Sequence, residues 1–255
     1  MVPSVSIISI ARNNESGLAR TFQSVMSQTH TDWELILVIA PSNDGTMGLA
    51  SHLADSDPRI VTYPQTGLGI YSAMNEGLHA STGEYVWFLN SGDEFRDELS
   101  LDAAVSQMKI LRADLLIGGY TVSGQSLAKQ YSKRSKKINR LDFAFNRRGG
   151  CHQAMLFNRK KLLDLNGFSL EFQLASDFDV ILRIIEGGKT FRTQKVLAKI
   201  EPGGISDQRI FDVIREKHQI RRIHYSKNTF ILFMSIGWGL AVKTKIRGRN
   251  FFGLK

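Results

Sequence analysis

The chain has 255 residues, enough for one α/β domain with an appendage and a substantial buried core. Its 33 Lys and Arg against 24 Asp and Glu leave a formal charge of +9, which directs attention to anionic partners. The single cysteine, Cys151, excludes an intrachain disulfide and a thiolate zinc site and fits a reducing cytoplasm, and Met1-Val2-Pro3-Ser4 lacks the basic and apolar regions of a signal peptide.

Strand-like runs alternate with helical patterns through the first half, the signature of a layered α/β sheet. Ser4 to Ile10 reads as a strand. Asn13 or Asn14 then caps a helix with Leu18, Phe22, Val25 and Met26 on one face. Trp33 to Ile39 is a second strand, Pro41 to Thr46 a turn, and Arg59 to Tyr63 a third strand. A helix from Ile70 to His79 feeds the apolar strand Tyr85 to Asn90. Beyond it come a helix over Leu99 to Leu111, a strand over Asp114 to Tyr120, and an irregular basic stretch from Ser123 to Arg148 read as a loop-rich insertion. A strand around Ala154 to Phe157, helices over Arg159 to Leu165 and Phe178 to Glu186, and two short strands, Thr190 to Thr193 and Val196 to Ile200, follow. Ser206 is expected to cap one helix reaching about Tyr225. No internal repeat or low-complexity segment interrupts the chain. Gly188-Lys189-Thr190 lacks the upstream glycine of a phosphate loop, and Gly67-x-Gly69 lacks the third glycine of a dinucleotide fingerprint.

Two segments stand out: Gly69-Ile70-Tyr71-Ser72-Ala73-Met74-Asn75-Glu76-Gly77 and Phe88-Leu89-Asn90-Ser91-Gly92-Asp93. In the second, a buried strand ends abruptly in polar residues and a carboxylate, which is where open α/β sheets place ligands and metals. Together with Val5-Ser6-Ile7-Ile8-Ser9 and Gly203-Gly204-Ile205-Ser206, these segments resemble the inverting glycosyltransferases of family 2, in particular the exopolysaccharide type that includes the colanic acid transferases.

The resemblance implies a GT-A fold, a single mixed Rossmann-like α/β sheet, over residues 1–206, with a donor half (1–98) and an acceptor half (99–206). It implies a nucleotide-diphospho-sugar donor bound by Ser9, Ala11, Ser42, Asp44, Met74, Asn75, Asn90, Ser91, Gly92 and Asp93. Asp93 would hold Mg²⁺ or Mn²⁺, a hard cation suited to oxygen ligands, against the departing diphosphate. Asp177, at the start of its helix, is placed as the base that deprotonates the acceptor hydroxyl. His152, Gln153, Arg183, Gly204 and Ser206 are assigned to the acceptor and diphosphate region. Competing structural roles are concrete: a helix-end charge for Asp177, strand-end turns for Asp44 and Asp93, a helix cap for Ser206, and solvated or backbone-satisfied roles for Arg183 and His152.

The sequence departs from the family where carboxylates are usual, at Ile39, Gly67 and Ser72, and Gly92 replaces a carboxylate in the motif that ends at Asp93. Those losses motivate a rival reading, a catalytically degenerate member that binds saccharide or scaffolds a membrane assembly. From Asp207 to Lys255 there are eleven basic and three acidic residues. The apolar run Phe230 to Val242, thirteen residues with Trp238 inside it, falls short of the roughly 20 that span a bilayer. Residues 207–255 are therefore expected to form basic, amphipathic helices lying on an anionic membrane surface rather than on nucleic acid, with the protein peripheral on the inner face of the cell membrane. With the family resemblance, this tail points to a lipid-linked saccharide acceptor in surface polysaccharide assembly.

Overall fold

The computed structural model describes residues 3–125, 136–145 and 150–226. Its first half alternates strands and helices: β1 (Val5–Ala11), α1 (Glu15–Met26), β2 (Trp33–Ile39), α2 (Thr46–Ser56), β3 (Ile60–Pro64), α3 (Ile70–Ala80) and β4 (Tyr85–Phe88). Then come β5 (Glu94–Phe95), α4 (Ser100–Leu111), β6 (Leu115–Val122), β7 (Lys136–Lys137) and α5 (Arg140–Phe145). A 3₁₀ turn over His152–Ala154 leads into β8 (Met155–Asn158), α6 (Arg159–Asp164), α7 (Ser176–Gly187), β9 (Thr190–Ile200), α8 (Ile205–Gln208) and α9 (Ile210–His224).

The strands form one mixed sheet in the order β3-β2-β1-β4-β8-β6-β9-β5, with β7 paired to β9 off that path. β1 runs parallel to both β2 and β4, with Ile7 opposite Leu35 on one side and Trp87 on the other. After β3 the chain crosses back to place β4 on the far side of β1. That reversal opens a crevice beyond the carboxyl ends of β1 and β4, the position where such sheets bind ligands.

Period-two alternation along the central strands builds two cores. Ile8, Ile36, Val38, Val86 and Phe88 face α3, α6, α7 and α9. Ile7, Leu35, Leu37, Trp87 and Leu89 face α1, α2 and α4. At the start of α3, Gly69 has a φ of 89°, left-handed backbone that favours glycine at the head of the Gly-Ile-Tyr segment.

The structure corrects several sequence expectations. α2 was not foreseen: only Thr46, Ala50 and Leu53 of it are buried, so its apolar stripe is thin and its entry reads as a turn. Met26 is 43% exposed rather than on the buried face of α1. β9 is one strand, not two; the exposed Gln194-Lys195 stretch breaks the hydrophobic pattern beside a register irregularity against β6. α5 forms inside the stretch read as a loop-rich insertion, of which residues 126–135 and 146–149 lie outside the described residues. The helix expected from Ser206 to Tyr225 is two helices broken at Arg209, and Ser206 sits inside α8 with Gly204 as the capping residue and no side-chain cap. α9, assigned from sequence to the tail, packs on α7. The apolar run Phe230 to Val242 and the basic residues after it lie outside the described residues.

Candidate active site

A cavity of about 610 Å³ opens at the crevice between the carboxyl ends of β1 and β4. It is lined by Asn90, Ser91 and Asp93 from the exit of β4, His152 and Gln153 from the 3₁₀ turn, Asp177 from α7, and Gly204 and Ser206 from the α8 segment. The structure thus brings together residues that the sequence places more than a hundred positions apart.

Asp93 is 5% exposed. Its Oδ1 accepts from the backbone N–H of Glu201 at 2.9 Å, and its own N–H is tied to the Asn90 carbonyl. Burial pushes its pKa up to about 6, against the opposing pull of the Glu201 N–H, the Gln153 side chain and the His152 charge. Gly92 has a φ of 100°, which suits glycine alone among the residues of this turn. Its N–H donates to Thr21 Oγ1, whose hydroxyl in turn donates to the Asp93 carbonyl at 2.7 Å. The turn is therefore rigid before any ligand arrives.

Asp177 stands in the first turn of α7. Its Oδ1 accepts from the Phe178 N–H at 2.7 Å and from the Tyr71 hydroxyl at 3.3 Å, while its Oδ2 lies 3.4 Å from His152 Nδ1. His152 Nε2 is 3.3 Å from Asn90 Nδ2, so the ring bridges Asp177 and the Asn90 amide. Burial raises the Asp177 pKa, but the His152 hydrogen bond and charge, the Lys217 ammonium and the Phe178 N–H outweigh it and hold the group below the ordinary aspartate value. One cavity therefore holds two carboxyl groups whose environments push their pKa values apart, a pattern that separates roles in catalysis.

The loop that leads into α7 and Asp177 is anchored from downstream. Glu216 on α9 accepts backbone N–H bonds from Gln173, Leu174 and Ala175 at 3.1, 2.8 and 2.9 Å, immediately before α7 begins. Lys217, next to it, lines the cavity. Arg183 on α7 turns away from the cavity: it bonds Asp179 Oδ2 at 2.8 Å and the carbonyls of Leu165 and Gly167, which braces the helix. Asp179 also meets His224 at 2.8 Å, fixing α9 to α7.

The remaining sequence candidates sit outside the cavity lining. Ser9 is fully buried on β1, its hydroxyl without a partner among the described residues, and Ala11 ends that strand. Ser42 accepts from the Asn13 N–H, and Asp44 accepts from Thr46 and from the Glu15 N–H, so both organise the entries of α1 and α2. Met74 is fully buried in the core, and Asn75 pins the backbone of Phe168 through both ends of its amide at 2.8 and 2.9 Å. Sequence reasoning did not single out Tyr71, Glu201, Glu216 or Lys217 as site residues. Tyr71 lies within the Gly-Ile-Tyr segment, whereas the other three carry no local signal.

Residues 6–165 match the model of Glycosyl transferase family 2. An uncharacterized glycosyltransferase of Mycobacterium tuberculosis is 27% identical over 235 residues, covering 86% of this chain and 85% of its own. Among solved structures, Staphylococcus aureus TarS 1-349 in complex with UDP-GlcNAc superposes with a TM-score of 0.69 at 16% identity, over 93% of this chain and 73% of that one. The chain spans 65% of TarS 1-349 in another crystal structure and 40% of the longer TarS chain. The mannosyltransferase PcManGT of Pyrobaculum calidifontis, in complex with GDP-Man and Mn²⁺, gives 0.65 at 16% identity, over 96% of this chain and 76% of that one. At that identity the likeness shows the fold, a GT-A-like single mixed sheet. The matched family model spans most of the sheet and the cavity-lining residues Asn90, Ser91, Asp93, His152 and Gln153, and the chain is a glycosyltransferase belonging to family 2.

Proposed function

We propose that this enzyme moves a sugar from a nucleotide-diphospho-sugar to a hydroxyl of a lipid-linked saccharide, with inversion, in the assembly of a surface polysaccharide of the exopolysaccharide, capsule or O-antigen kind. The observation that carries this reading is the pair of carboxyl groups, Asp93 and Asp177, in one cavity at the topological switch point.

Asp177 is ionised at neutral pH and is held by Tyr71, His152 and its own helix terminus. It takes the proton of the acceptor hydroxyl as that oxygen bonds to the anomeric carbon, and the bond from that carbon to the diphosphate breaks on the opposite side. His152 orients Asp177, and Lys217 adds positive charge to the same region. The residues at the exit of β4 suit a hard divalent cation: the Asp93 carboxylate and the Asn90 Oδ1, a buried oxygen with no partner among the described residues, both border the cavity. Mg²⁺ or Mn²⁺ bound there would neutralise charge on the departing diphosphate, with Asp93 as its side-chain ligand.

The lipid-linked acceptor and the peripheral position at the membrane rest on the basic tail with its apolar run, and no helix among the described residues is long and apolar enough to cross a membrane. The donor reading is tested by calorimetric titration of the full chain with UDP, GDP and dTDP, with and without Mn²⁺. Cation-dependent binding of one of them is expected and names the donor class. No binding to any, by protein shown to be folded, would return the chain to the saccharide-binding or scaffold reading. Deleting residues 230–255 is expected to release the protein from anionic vesicles while leaving nucleotide binding intact; unchanged vesicle binding would sink the attachment role of the tail.

A further inference from the structure

The turn that ends β4 offers one carboxylate, Asp93, because Gly92 stands where a second is common in related motifs. The structure fills that place from elsewhere in the chain. A Cβ built on Gly92 would collide with Oε2 of Glu201, so the Glu201 carboxylate occupies the space a side chain at position 92 would take. Glu201 is also locked to Asp93, since its backbone N–H donates to Asp93 Oδ1 at 2.9 Å across 108 positions of sequence. Both residues, with the unpartnered Asn90 Oδ1, border the same cavity.

We propose that Glu201 is the second carboxylate of the cation site, so that the site is assembled from two strand ends, the exit of β4 and the exit of β9. This rests on the reading of Asp93 as a cation ligand. One or two carboxylates, with water and substrate phosphate oxygens, is the donor set that small divalent cations take in phosphate-handling sites. Arg20 Nη2 engages Glu201 Oε1 at 2.6 Å and leaves Oε2 on the Gly92 side. The side chains of that pair are 41% and 42% exposed, so solvent screens the ion pair and its rearrangement costs little. Arg20 serves as the counter-charge that keeps two neighbouring carboxylates compatible until a cation arrives. The Gly92 substitution is then no loss of the paired-acid motif. The glycine makes room for an acid delivered by β9.

The test is Mn²⁺ binding to the full chain, followed by calorimetry and by the electron paramagnetic resonance signal of free Mn²⁺, in wild type, Asp93→Asn, Glu201→Gln and Arg20→Ala, each checked for folding by circular dichroism. Glu201→Gln is expected to weaken Mn²⁺ by about tenfold or more, since even outer-shell losses reach that size. Arg20→Ala is expected to bind as tightly as wild type or tighter, because it frees Glu201. Loss in Asp93→Asn with wild-type affinity in Glu201→Gln would overturn the role of Glu201 and leave Asp93 standing. Wild-type affinity in both, or no Mn²⁺ binding by wild type, would overturn the cation reading itself. Equal weakening in Glu201→Gln and Arg20→Ala would show that Glu201 acts through its ion pair and not on the cation.

Discussion

Asp177→Asn is expected to lower kcat by about 10²–10⁴-fold, the usual contribution of a positioned general base, while the nucleotide dissociation constant stays at its wild-type value. The split follows from geometry. Asp177 enters the cavity from α7, whereas the residues proposed to hold the nucleotide lie at the exit of β4. An amide at 177 still accepts from the Phe178 N–H and the Tyr71 hydroxyl through Oδ1, so the loop keeps its shape, while the proton acceptor at Oδ2 and its His152 contact are lost. Steady-state kinetics beside calorimetry on the same preparation checks this. A fall in nucleotide affinity matching the fall in kcat would mean that Asp177 shapes the donor site instead of serving as the base. Because the Asp177 pKa lies below the ordinary aspartate value, its protonation does not set the acid limit of activity.

Asp93→Asn is expected to do two opposite things. It should abolish the cation-dependent part of nucleotide binding, and it should stabilise the cation-free protein. The sign of the second effect comes from linkage. In the folded state burial raises the Asp93 pKa from 3.8 to about 6, so the native protein holds this proton more tightly than the unfolded chain does. Ionised Asp93 therefore costs stability, fully so above pH 6, and the cost is relieved as the pH falls from about 6 toward 3.8. Each pKa unit corresponds to about 1.4 kcal/mol, so replacing the charge by an amide should recover at most about 3 kcal/mol near neutral pH, or roughly 6 °C in Tm. Thermal melts in chelator and in Mn²⁺ separate the effects: the mutant should melt above wild type in chelator, and only wild type should gain from Mn²⁺. Cation-dependent binding by wild type should also fade as the pH drops through about 6, because proton and cation compete for one carboxylate. A mutant that melts below wild type in chelator would show that the carboxylate is held favourably by its hydrogen bonds and is not waiting for a counter-charge.

The sequence revealed most where a physical signal is local. The largely apolar runs of β1, β2 and β4 announced a buried parallel core, and the polar residues after Leu89 marked the edge at which the cavity lies. A helix cap was legible at Asn13 or Asn14, and Asn14 is the one that accepts from the Gly17 N–H. The signal failed where tertiary contacts override local pattern. α2 buries three residues against neighbours and lacks a stripe of its own. β9 remains one strand across Gln194 and Lys195, where its register against β6 shifts, because it is held between β6 and shorter strands on either side of them. Glu201 and Lys217 reach the cavity, and Glu216 the loop before α7, by long-range folding, for which spacing along the chain gives no measure. The polar candidates Ser42, Asp44 and Asn75 were visible as polar residues near the right strands, but their partners are backbone groups, a distinction that composition does not draw.

The three N–H bonds that Glu216 accepts have a consequence for the order in which the protein becomes competent. A ribosome completes every strand of the sheet before it reaches residue 216, and domains begin to organise from the first-made end. The cavity wall at the exit of β4 can therefore form on a nascent chain whose α7 entry is still untethered and whose Asp177, the proposed base, is not yet aimed. On the proposed reading, a product terminated just after β9 is expected to hold the nucleotide-sugar without consuming it, and translation through α9 to complete the enzyme by fixing the loop that carries Asp177.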